Sequence, residues 1–219
     1  MCDHRMNNIS KRRKIIEIFF VAVTGIGKIV FMDYLEWKLF FILSALVGWG
    51  IYILYRSNQH PDILHYWGFR TDTFRSVVKI LLPFGIGALL IFLIIGYVNN
   101  SINITWHIIP ILFIYPLWGT IQQFLVISLF GGNLQDLKLN QVSKPIIITL
   151  SALLFGLVHY PYYWLMFGTF ILALLYGYVF LKVRNIYAMG LFHGWLGGLF
   201  YYTVVNRDPF LEVFNKLIH

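Results

Sequence analysis

Four polar side chains stand inside apolar stretches of this chain: Gln122 and Gln123 together in one, His159 near the end of the next, and His193 in a later one. A polar group at membrane depth is costly, so it usually faces the interior of a helix bundle and marks a functional site. An imidazole takes or gives a proton near neutrality. A glutamine amide donates and accepts hydrogen bonds but cannot take a proton from water as a carboxylate does. The chemistry open to this set is proton transfer by a histidine, with an amide orienting a water or a carbonyl oxygen. The bland alternative is packing: intramembrane amides often serve only as interhelical hydrogen-bond glue, worth about 0.6 kcal/mol each. Two histidines together with paired amides, on three separate segments, favour a built site.

Local sequence says how each group would be presented. Pro116 precedes the glutamines in the same segment; it removes a backbone donor and predicts a bend beside them. Neighbouring helical residues point about 100° apart, so Gln122 and Gln123 cannot share one target. One is expected to face a cavity and the other a neighbouring helix. His159 follows Phe155 by one helical turn, and Pro161 stops the helix beyond it. Gly190, Gly194 and Gly198 form a small-residue stripe that lets another backbone approach, while His193 and Gly197 share the adjacent face.

The elements that must hold these groups follow from composition. Of 219 residues, 59% are hydrophobic and 12% charged, and mean hydropathy is +0.72. Such a chain lacks the polar surface of a soluble globule. It reads as an all-α, polytopic membrane helix bundle forming a single domain, 1–219. Roughly 20 apolar residues cross the hydrocarbon core, which gives about seven spans: 15–32, 37–55, 80–98, 106–130, 145–159, 162–181 and 187–205. The first is interrupted by Glu17 and Lys28 and closed by Asp33, so an interfacial placement stays open for it. It lacks the unbroken apolar run and small-residue cleavage site of a signal peptide.

Basic residues set the expected orientation. Arg5, Lys11, Arg12, Arg13 and Lys14 make 1–14 a basic N-terminal segment; Arg56, Arg70, Arg75 and Lys79, then Lys138 and Lys144, then Lys182 and Arg184 mark later turns. With seven crossings all of these fall on one side, which places the N-terminus in the cytoplasm and the C-terminus outside the cell membrane. The net charge of +8 is then explained by basic loops beside anionic lipid, with no nucleic-acid partner. The one cysteine, Cys2, excludes an intrachain disulfide and a cysteine-based metal cluster.

The order of the polar sites resembles the CPBP intramembrane proteases, the group of the type II CAAX prenyl endopeptidases and the bacteriocin-processing, Abi-like proteins. The family pattern is E-E-x-x-x-R, then F-x-x-x-H, then H-x-x-x-N. This chain has Gln122-Gln123-x-x-x-Ile127, Phe155-x-x-x-His159 and His193-x-x-x-Gly197, within 115–202. The resemblance implies an endopeptidase acting on a membrane-associated or prenylated peptide, with Gln122, Gln123, His159 and His193 as the catalytic set. In the family the first glutamate activates water, the second pairs with the arginine, and the histidines and asparagine support the oxyanion or a metal. Here the charged pair has gone as a unit, with Ile127 in place of the arginine, while both glutamate positions stay polar; this points to a neutral variant site. Two histidines supply only part of a zinc shell, so no metal and no cofactor are expected. Two other readings stand beside this one: an inactive homologue that binds a membrane peptide or lipidated partner, and a small transporter or proton relay. Depth poses a question, since His159 lies about 20 Å along its helix and Gln122 and His193 only about 10–12 Å along theirs.

Overall fold

Backbone amides inside a bilayer find no water, so a chain that crosses one folds into helices whose hydrogen bonds close within each segment. The computed structural model describes residues 9–137 and 143–218, and the regular elements among them are helices. Arg5, Cys2 and Lys138 lie outside the described residues. Helix α1 runs Lys11–Tyr34 and is π-helical over Lys28–Tyr34; α2 is Lys38–Gln59, α3 a short Ile63–Trp67, and α4 Phe74–Val98. Helix α5 runs Ile108–Asp136 through a π-helical stretch at Phe124–Gly132. Then come α6, Lys144–Leu157; α7, Tyr163–Phe180; α8, Ile186–Phe200, prolonged by π turns at Tyr201–Val205; and α9, Pro209–Ile218.

Five of these, α1, α2, α4, α5 and α7, are long and apolar enough to cross a membrane. The other two expected spans are helical but differ in kind. Helix α6 has 14 residues and ends at Leu157, so His159 sits in the turn after it and not on it; that length falls short of the roughly 20 residues a span needs. Helix α8 is packed between α4 and α5, where glycines and a histidine replace part of the apolar surface that a lipid-facing helix would carry.

The charges that interrupt α1 are paired inside the bundle. Glu17, 3% exposed, accepts hydrogen bonds from Tyr52 at 2.5 Å and from the Asn133 amide at 2.7 Å, and Arg56 Nε lies 3.8 Å from it. Lys28 holds Asp33 at 2.6 Å. A buried carboxylate is tolerated when donors surround it, so α1 keeps its place against α2 and α5 despite its charge. Helix ends gather at two poles. Lys14, Glu17, Arg56, Asn133, Asp136 and Arg184 meet at one; Lys38, Thr105, His107, Asp208 and Glu212 meet at the other.

The tightest contact joins α5 to α8, antiparallel, along the glycine stripe. A Cβ on Gly190 would lie 2.5 Å from Thr120 Cα, one on Gly194 2.6 Å from Pro116 Cα, and one on Gly198 2.8 Å from Ile111 Cγ2. Only glycine permits such an approach. Pro116 cannot donate to the carbonyl of Leu112, one turn back; Trp195 of α8 does so instead, its indole N–H reaching Leu112 O at 3.0 Å.

Candidate active site

The close approach of α5 and α8 brings Gln122 against His193. The imidazole Nε2 lies 2.8 Å from Gln122 Oε1, so Nε2–H donates and the amide oxygen accepts. This leaves the Gln122 NH2 group available to donate elsewhere. His159 reaches back from its turn: Nδ1–H donates to Phe155 O at 2.7 Å, which places the lone pair on Nε2. The Phe155 ring packs on both imidazoles, with centroids 5.0 Å from His159 and 5.3 Å from His193. The depth question is resolved by this arrangement, because His159 folds back over the end of α6 and both rings meet on one phenyl group.

Gln122, His159 and His193 line a single cavity of about 220 Å3, together with Tyr115, Tyr162 and Thr169. Gln123 does not line it. That side chain is fully buried, and neither of its amide atoms has a hydrogen-bond partner among the described residues; Ile127, in the following π-helical stretch, is buried as well. The two amides therefore part company, as their angular separation requires. His193 Nδ1 is likewise buried without a partner. Gly197, one turn beyond His193, lines the cavity and would carry a Cβ into open space.

A second opening reaches the same histidine from the side. An apolar groove of about 590 Å3 runs between α4 and α7 over α8, and it shares Leu165, Thr169, His193 and Gly197 with the polar cavity. The groove is walled by residues such as Phe84, Ile91, Phe167 and Ile171, which turn apolar surface outward.

The rim of the cavity carries charges that the motif reading did not include. Lys28, Asp33, Lys38 and Glu212 all line it, joined as Lys28 with Asp33 at 2.6 Å and Lys38 with Glu212 at 3.1 Å. Two π-helical stretches reach this cavity: one supplies Lys28 and Asp33, and another supplies Tyr201. Such stretches occur frequently at functional sites. In the sequence, Lys28 and Asp33 registered only as interruptions of an apolar run, and Glu212 follows the last one. Behind the rim, Asp208 accepts from Thr105 at 2.6 Å, His107 at 2.7 Å and Tyr202 at 3.0 Å. Burial alone would raise its pKa; the hydrogen bonds outweigh burial and hold the carboxyl below its ordinary range.

The donor set does not fit a catalytic metal. Among the described residues no three His, Cys, Asp or Glu side chains gather as ligands. Catalytic zinc normally takes three protein ligands, one more than the two histidines supply.

A family model described as type II CAAX prenyl endopeptidase Rce1-like matches residues 11–198. No curated relative and no solved structure matches the chain. The matched residues run from the start of α1 to the Gly198 contact of α8, and include Gln122, His159 and His193 but not α9. With that coverage, and an all-helical bundle of membrane-spanning length, the chain belongs to the type II CAAX prenyl endopeptidase Rce1-like family.

Proposed function

We propose that the chain is an intramembrane endopeptidase with a neutral active site, cleaving a peptide bond of a membrane-embedded or lipidated peptide. The observation that carries this reading is the convergence of Gln122, His159 and His193, from separate parts of the chain, on one cavity. His159 is the base. Its Nε2 takes a proton from a water as the water oxygen bonds to the scissile carbonyl carbon. The Gln122 N–H donates to the oxyanion that develops, while His193 holds the amide in place. The proton on His159 then passes to the departing amine as the C–N bond breaks. The apolar groove beside His193 suits the lipid chain of such a peptide.

Membership in the family favours peptide work over the transporter or proton-relay reading. One observation supports a binding protein without turnover: Gln122 stands where the family has its water-activating glutamate, and an amide takes no proton from water. Purified protein in proteoliposomes, incubated with a lipidated peptide and read by mass spectrometry, separates the two. The enzyme reading expects cleavage products from the parent and none from His159→Ala. Binding of the peptide by both proteins with no product from either would leave only the binder.

The basic pole at the start of α1 supports a cytoplasmic N-terminus, and seven traverses of the bundle would put α9 outside. A reporter fused after residue 219 is then expected outside and one inserted at 60–62 inside. The reverse result, or both on one side, would overturn that orientation.

A further inference from the structure

One wall of the cavity lies beyond the residues that the family model matches. Helix α9 starts at Pro209, and its Glu212, Val213 and Phe214 line the cavity that holds Gln122, His159 and His193. It rests on α2 and α5. Much of what fastens it is polar or local. Asp208 caps its first turn, accepting from the N–H groups of Phe210 at 3.0 Å and Leu211 at 3.3 Å, and Phe210 stacks on His107 at 4.7 Å. Glu212 bridges two cations, with Oε2 on Lys38 at 3.1 Å and Oε1 on Arg207 at 3.3 Å. Arg207 belongs to the turn that leads into α9, whereas Lys38 belongs to α2. The Lys38–Glu212 pair is therefore a charged tie between α9 and the fixed wall.

Moving α9 aside would strip Lys38 of that counter-charge. Its side chain is only 22% exposed, and a cation partly withdrawn from water is costly without an anion beside it. The rim's other carboxylate gives no relief, because Asp33 is already held by Lys28. Opening becomes close to neutral only when an incoming group brings a carboxylate of its own to Lys38. We propose that α9 is a lid on the cavity and that Lys38 is a specificity-determining residue, exchanging the lid's Glu212 for a carboxylate of the incoming peptide. The proposal rests on the reading of the cavity as a peptide site. The carboxylate is either the peptide's C-terminal group or an acidic side chain near its end.

The test follows the lid itself and needs no turnover, so its failure is distinct from failure of the endopeptidase reading. In a Cys2→Ser background, spin labels at Leu211→Cys and Ile51→Cys, both exposed, report the distance between α9 and α2 by pulsed electron resonance in the full chain. The parent is expected to show one short distance. Glu212→Gln should add a longer one, raising the open fraction by about tenfold. Acetyl-Leu-Leu-Leu with a free carboxylate should open the parent in the same way, and its C-terminal amide should not. Acetyl-Leu-Leu-Asp amide tells the sources apart: opening shows that any carboxylate serves, and no opening restricts the seat to a C-terminal one. Lys38→Met should open the lid without peptide and lose the response to the free acid. An unchanged distance in Glu212→Gln, equal opening by acid and amide, or a full peptide response in Lys38→Met would each overturn the proposal.

Discussion

Gln122 and His193 meet across the α5–α8 interface at 2.8 Å, amide oxygen to imidazole Nε2, and that bond depends on glycines that have no chemistry of their own. Gly190 and Gly194 remove the side chains that would hold the two backbones apart. The bond in turn fixes which end of the Gln122 amide is free. With the oxygen engaged, the NH2 group is free to donate; in the proposed mechanism it meets the developing oxyanion and His159, whose ring also packs on Phe155, moves the proton.

Replacing Gln122 should then read out in the chemical step. Gln122→Ala is expected to lower kcat by about 10²–10³-fold, the usual loss for one oxyanion donor, with a smaller change in KM. Gln122→Glu puts a carboxylate beside His193 where the family pattern has one, and is expected to raise turnover above the parent. Product analysis on a lipidated peptide checks both, and an alanine variant with parental kcat would remove Gln122 from the mechanism.

Two neighbouring glycines should behave oppositely. Gly194→Ala pushes a methyl group into Pro116 of α5, an overpacking expected to cost about 1–3 kcal/mol and to separate Gln122 from His193. Gly197→Ala meets open space and should leave stability within about 0.5 kcal/mol. Thermal unfolding in detergent tests the contrast, which equal shifts for the two variants would deny.

Gln123 offers a stabilising change. Its amide is fully buried and neither polar atom is bonded among the described residues, so Gln123→Leu removes an unsatisfied group and is expected to stabilise the bundle by about 1–3 kcal/mol. A fall in melting temperature would show that the amide has a partner it needs.

Asp208 ties the loop before α5 to the base of α9, and its carboxyl is held below the ordinary range. A depressed carboxylate contributes stability that is fully present above its unfolded pKa, about 3.9, and is lost as pH falls through the lower folded value. Asp208→Asn should therefore cost about 1–3 kcal/mol at neutral pH, and the gap between variant and parent should close in strong acid. Melting curves taken from pH 7 downward into strong acid check the sign.

The sequence alone determined that the chain is an all-α membrane bundle, because its hydropathy and the length of its apolar runs leave no other way to satisfy the backbone in lipid. It also determined the polar set. Amides and imidazoles inside apolar segments are conspicuous against their surroundings, and their order carries the family resemblance, which the match over 11–198 shows as membership. The glycine stripe was readable too, though not the helix it would meet.

What the tertiary structure decided is which of those groups meet. Spacing along a helix separates Gln122 from Gln123 by angle but cannot say which turns to the cavity; the packing of α8 on α5 does, and it leaves Gln123 buried with no hydrogen-bond partner among the described residues. The number of helices fit to span rested on helix bounds and composition, since α6 stops at Leu157 after 14 residues and α8 carries glycines and a histidine in place of apolar side chains. The charged rim was invisible for a different reason: Lys28, Asp33, Lys38 and Glu212 come from helices at opposite ends of the chain. The Lys38–Glu212 pair has no local sequence signature, because its partners are set by which helix ends the fold brings to the same pole.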